Sequence, residues 1–118
     1  TVVEVCQGRT KRIGACADTG HWVRSGLDPV ECLKKLEGRL IGFHLKGLAE
    51  AGKVDSYDVP WGTGAANVAG ILKEVKRQGA QPVFGIEYER DLSDDERQRQ
   101  VAQCIANFDK LACELGAA

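Results

Sequence analysis

What constrains this chain most is an alternation. Short apolar runs trade places with amphipathic helical stretches, and glycine-marked turns separate them. Residues 13–17, 40–45 and 82–88 are apolar runs too short for core helices and bounded by turn residues, so each reads as a buried strand. The helical stretches carry start and stop signals. Asp28 is an N-cap, Pro29 suits the first helical position, and Glu31 stands where a capping box places its acid. Val30, Leu33 and Leu36 then recur at helical spacing until Gly38 stops the helix. Asn67 caps a second helix with Val68, Ile71, Leu72 and Val75 in one stripe, closed by Gly79. Ser93 and Glu96 form a Ser-x-x-Glu box at the head of a long final helix that runs to about Leu115. Asp94, Asp95 and Glu96 fill its first turn, where the helix dipole favours negative charge. Strand alternating with helix predicts an α/β fold, a parallel sheet with its helices outside. The valines of residues 1–6 suit a strand, and the same segment fits a helix tail equally well.

Side chains alternate between the two faces of a strand. Gly14, Cys16 and Asp18 share one face of the first run, Leu40, Gly42 and His44 one face of the second, and Val83, Gly85 and Glu87 one face of the third. Each set ends on a polar residue, with a glycine two or four positions before it. The opposite faces hold Ile13, Ala15 and Ala17, then Ile41, Phe43 and Leu45, then Phe84, Ile86 and Tyr88, which suit packing beneath helices. Parallel α/β enzymes place their chemistry at the C-terminal ends of strands, where Asp18, His44 and Glu87 fall. Asp, His and Glu are hard-to-borderline ligands suited to Mn, Mg, Co or Zn. Three protein ligands leave coordination positions for water or substrate. Each residue alone has a structural explanation, as a capping Asp, a satisfied core His or a surface Glu. Their coincidence at equivalent positions is what points to a divalent-metal site.

Four motifs occur in order: Ala-Asp-Thr-Gly-His-Trp at 17–22, Phe-His-Leu-Lys at 43–46, Asp-Val-Pro-Trp-Gly-Thr-Gly at 58–64 and Ile-Glu-Tyr-Glu at 86–89. Together they resemble the second half of sugar phosphate isomerase/epimerase proteins with xylose isomerase-like TIM barrels. The resemblance implies a partial (β/α) barrel, about three βα units matching the last strands, with residues 1–118 as a single C-terminal half-barrel domain. It also implies metal ligation by Asp18, His44 and Glu87, with Glu87 doubling as a catalytic acid/base. His21 and Lys46 match positions near substrate oxygens. Trp22 and Trp61 fit either an apolar wall for the sugar or packing under the loops. The implied reaction is isomerisation or epimerisation of a small sugar or sugar phosphate. A metal polarises the substrate carbonyl and two Glu groups move protons through an enediolate.

The sequence departs from that pattern twice. Gly47 stands where Asp often follows the motif's Lys. Nothing before Ile13 supplies the fourth ligand, a Glu that is also the second acid/base group; Glu4 is the one substitute on offer. Weak or absent turnover by the isolated chain is therefore expected. The alternative is a non-catalytic, self-associating half-barrel module that keeps the site residues by ancestry. Three strands cannot close a barrel and leave exposed edges, so a homodimer or higher oligomer is expected.

Other classes are disfavoured. Sixteen basic side chains against 17 acidic give no field to gather nucleic acid or an anionic membrane, and two histidines are too few for the metal cluster of a barrel-fold endonuclease. The basic run at residues 9–12 reads as a solvated loop, and Gly62-Thr63-Gly64 as a turn rather than a phosphate cradle. No stretch approaches the ~20 apolar residues of a membrane span, and no secretory leader pattern opens the sequence. Five cysteines without a CxxC pair read as reduced and mostly buried thiols, which places the expected setting in the cytoplasm.

Overall fold

The computed structural model describes residues 1–116. The ambiguous opening is helical. α1 (Val2–Cys6) starts from a complete capping box in which the Thr1 hydroxyl accepts from the Glu4 N–H and the Glu4 side chain returns to the Thr1 amino group. Then follow β1 (Ala15–Asp18), α2 (Thr19–Arg24), α3 (Pro29–Lys35), β2 (Leu40–Leu45), α4 (Val68–Arg77), β3 (Val83–Ile86) and α5 (Asp94–Glu114). The helix α2 is not among the helices that the sequence signals mark, the first of which starts only at Asp28. Asp18 explains it, since Oδ1 accepts from the N–H groups of Gly20 and His21 and so starts a helix at the residue that ends β1. At α3, Asp28 caps Val30, while Glu31 pairs with Lys34 instead of closing a box.

The sheet is parallel, in the order β1-β2-β3, and open. Its register places Asp18 beside His44 and His44 beside Gly85, with Phe43 beside Phe84. β3 is shorter than the run at 82–88 because its ladder ends at Leu45↔Ile86, where β2 itself stops. Glu87 is thus the first residue past the ladder.

Helices cover one face of this sheet. Ala17, Phe43 and Leu45 meet Leu33 of α3 and the expected stripe of α4, Val68, Ile71, Leu72 and Val75. Each fully buried aliphatic or aromatic chain contributes about 1.5–3 kcal/mol. Phe43 stacks on Phe84 at 4.8 Å, and Phe108 of α5 meets Phe84 edge-on at 5.0 Å. The other face is bare: Cys16 and His44 are exposed, and Val83 is 75% exposed. Ile13, Ile41 and Ile86, expected under helices, are each more than two-fifths exposed: Ile13 precedes β1, Ile86 ends β3, and Ile41 is the residue skipped where the β1–β2 register shifts between Leu40 and Gly42. α3 and α4 are also tied by polar bonds. The Arg77 guanidinium reaches Glu74 and Glu37, and the Gln78 amide reaches both Glu74 and the Leu33 carbonyl.

The thiols depart from expectation. All five are free, but only Cys6 and Cys104 are buried, since Cys16 lies on the bare face and Cys113 on the solvent side of α5. Among the described residues no helix is long and apolar enough to cross a membrane.

Candidate metal centre

Three neighbouring strands deliver three side chains to one point. Asp18 ends β1, His44 is the next-to-last residue of β2, and Glu87 follows β3. One ligand atom from each lies within 4.8 Å of the others. His44 Nδ1 stands 2.8 Å from Glu87 Oε2 and 4.0 Å from Asp18 Oδ2. Asp18 divides its carboxylate between two tasks, Oδ1 capping α2 and Oδ2 facing the two histidines, with His21 Nε2 at 3.5 Å.

Glu87 is divided in the same way. Oε1 lies 3.1 Å from the Lys46 ammonium. Oε2 is buried without a hydrogen-bond partner, because the nearby His44 ring lacks the alignment of a hydrogen bond. A buried carboxylate oxygen with no donor is costly unless a cation satisfies it. Together with a donor set of two carboxylates and one imidazole, that orphan atom fits a divalent cation held by Asp18, His44 and Glu87.

Lys46 lies beneath the centre rather than at its mouth. It is 2% exposed, and its ammonium is shared between Glu87 and Glu89. Burial pulls its pKa down, but the bonds to Glu89 and Glu87, with the nearby Asp18 charge, outweigh this and raise it above the ordinary lysine range. Glu89 is shifted the opposite way, held below its ordinary value by the Lys46 bond. Gly20 makes room for this arrangement, since a Cβ there would sit 2.6 Å from Lys46 Cδ. Thr19, fully buried, accepts from the Lys46 N–H and donates to the His44 carbonyl.

The remaining sequence candidates fall in different places. His21 is exposed at the rim, and Trp22, half-buried, lines with Asp18 and His21 a cavity of about 700 Å³. Trp61 lies apart from the cluster: it is 2% exposed, packs against Phe108 at 6.0 Å, and its carbonyl accepts from Asn107. Glu4 also lies apart, exposed in α1 and paired with the Thr1 amino group. Residues 62–64 form a turn, with Thr63 bonded back to the Pro60 carbonyl.

Sequence reasoning passed over Asp58 and Glu89. Glu89 stands two residues after Glu87, the spacing of a shared strand face, and that signal was available. Asp58 opens the Asp-Val-Pro-Trp motif, but its partner lies 31 residues away, beyond any local pattern.

Strands carrying a carboxylate–imidazole–carboxylate cluster at their C-terminal ends define a piece of a (β/α) barrel with a candidate metal centre. The chain belongs to the xylose isomerase-like TIM barrel family, whose profile matches residues 1–108. It is similar to a xylose isomerase domain protein from Planctomyces limnophilus, with 19% identity and a TM-score of 0.80 over 98% of this chain and 44% of that one. It is also similar to a protein from Parabacteroides distasonis, with 38% identity and a TM-score of 0.53 over 88% of this chain and 42% of that one. A D-tagatose 3-epimerase-like protein matches at 20% identity and a TM-score of 0.61, over 92% of this chain and 40% of that one. No curated protein matches. The chain spans about two-fifths of the length of the solved structures it resembles.

Proposed function

We propose that the chain forms part of a divalent-metal-dependent isomerase or epimerase of a small sugar or sugar phosphate. The observation that carries this reading is the convergence of Asp18, His44 and Glu87 with Glu87 Oε2 left unpartnered. Asp18, His44 and Glu87 would hold the ion, which supplies Lewis-acid polarisation of a sugar carbonyl. The chain's own residues do the rest. Glu87 takes or returns a carbon-bound proton, while Lys46 fixes its Oε1. His21, exposed at the rim, hydrogen-bonds a sugar oxygen, and Trp22 gives the sugar an apolar wall inside a cavity within the usual small-molecule range. Glu87 is one acid/base group, and Glu4 does not reach the cluster to be the second. Turnover by this chain alone is therefore weak or absent.

The test is calorimetric titration with Mn²⁺. The wild-type chain binds one ion, and His44→Ala or Glu87→Ala weakens binding at least tenfold. Unchanged affinity in both variants defeats the reading.

One observation favours a second reading, a self-associating half-barrel module without catalysis. The sheet's inner face is bare, with Val83 75% exposed at one edge. Light scattering tests the association, and a clean monomer at micromolar concentration counts against it. Assays on aldose and ketose panels with Mn²⁺ separate the two readings, because turnover by the chain contradicts the second.

A further inference from the structure

Asp58 ligates nothing in the candidate centre, yet it is 2% exposed. A buried carboxylate is costly unless it is paired and hydrogen-bonded, so its partners reveal its task. Arg24 compensates it incompletely. Arg24 Nη2 stands 3.5 Å from Oδ1, the Arg24 Nε is committed to the Ser56 carbonyl at 3.1 Å, and Oδ1 has no hydrogen-bond partner. The one short bond goes elsewhere: Oδ2 accepts from the backbone N–H of Glu89 at 2.6 Å. A second, weaker contact lies beside it: the Tyr88 hydroxyl gives its proton to the Gln100 amide oxygen and rests 3.4 Å from the Asp58 carbonyl.

Both contacts fall where the sheet ceases to hold the chain. The β2–β3 ladder stops at Leu45↔Ile86, and residues 87–89 continue without a partner strand. An ionised acceptor binds a backbone N–H more strongly than a neutral one, which suits a segment lacking ladder bonds. We infer that Asp58 is a positioning residue: through the Glu89 amide its carboxylate anchors residues 87–89 and fixes where Glu87 presents Oε2 to Asp18 and His44. Arg24 belongs to α2, the helix that Asp18 caps, so the Arg24–Asp58 approach also ties the Glu87 segment to the Asp18 ligand.

The consequence for metal affinity rests on the metal reading above; the anchoring itself does not. Two measurements on the full chain separate them. The first is hydrogen exchange by NMR. In Asp58→Ala the Glu89 amide exchanges at least tenfold faster, while the β2–β3 ladder amides keep their rates. Should Ala unfold the chain, Asp58→Leu keeps the branched four-atom skeleton and removes the acceptor, and gives the same result. The second is Mn²⁺ titration. Loss of an outer contact that orients a ligand costs about 10- to 100-fold in affinity. Asp58→Asn, which keeps an acceptor oxygen, restores both readouts to within about threefold of wild type. An unchanged Glu89 exchange rate overturns the inference, as does unchanged Mn²⁺ affinity in a variant whose Glu89 amide has been released. A wild-type chain that binds no Mn²⁺ defeats the proposed function instead, and the exchange result then decides the anchoring alone.

Discussion

Gly47→Ala offers a sharp test of how the site is framed, because the backbone of the following loop closes directly over this position. A Cβ on Gly47 would sit 2.4 Å from the Val59 carbonyl oxygen and 3.2 Å from that of Pro60. These are backbone atoms, so no rotamer change relieves the clash and one strand of the loop must retreat by about 1 Å. Overpacking of this kind costs about 1–3 kcal/mol. The retreat also stretches the bond from the Val59 N–H to the Gly47 carbonyl, now 2.9 Å, whose loss adds about 1 kcal/mol. The sum is on the order of 2–4 kcal/mol. With a urea slope near ~2 kcal/mol/M, the unfolding midpoint falls by about 1–2 M at unchanged slope. Gly47→Asp falls at least as far, since it adds a charge to the same clash. A midpoint within about 0.2 M of wild type for Gly47→Ala would refute the reasoning, for it would mean that this loop is not packed rigidly against the end of β2.

Asp18→Asn keeps an oxygen to cap α2 but removes the ligand charge, so Mn²⁺ affinity falls at least tenfold while the thermal midpoint barely moves; Asp18→Ala loses the cap as well, at a further cost of about 1 kcal/mol by urea unfolding. Glu74 is held down to about 2 from 4.5, first by its hydrogen bonds to Arg77 and then by Gln78. A carboxyl depressed in the folded state contributes fully above its unfolded value, and that contribution fades as pH falls from 4.5 towards 2. Arg77 is half exposed and screened, so the contribution is on the order of 1 kcal/mol. Urea unfolding of Glu74→Gln should therefore show lower stability than wild type at pH 6 and a flatter profile between pH 5 and 2. Ile71→Ala empties a fully buried position on α4 and should cost about 2–5 kcal/mol in urea unfolding, with no specific loss of Mn²⁺ affinity in the folded variant.

The strands and the α4 stripe were legible because each rests on local periodicity. Val68, Ile71, Leu72 and Val75 lie on one face of any helix that contains them, and they are buried together. The helix α2 was hidden because Asp18 does two jobs, and a capping Asp followed by Thr-Gly reads as a turn. The bonds that hold the candidate centre were less accessible still. Lys46 meets Glu89 across 43 residues and Asp58 meets Glu89 across 31, distances over which no spacing rule operates. Trp61 shows the converse limit. An aromatic in a glycine-rich loop looks available for a ligand, and only the packing of α5 across it, through Phe108 and Asn107, makes it core.

The geometry of the centre follows from apolar packing on the other side of the sheet. Phe43 and Phe84 are register partners and stack at 4.8 Å on the helix-covered face. Side chains alternate, so this stack fixes His44 beside Gly85 on the bare face and sets Glu87 two residues further along. A slip of one residue between β2 and β3 would pair Phe43 with a glycine or a valine and lose the stack. It would also carry Glu87 about 3.3 Å along the strand, well beyond a metal–ligand bond of about 2.0–2.2 Å, and turn it to the other face, out of the cluster. The spacing of the three candidate ligands is thus set by aromatic packing, and only the step from Ile86 to Glu89, where the ladder has ended, requires polar anchors of its own. Asp58 and Lys46 are found at that step.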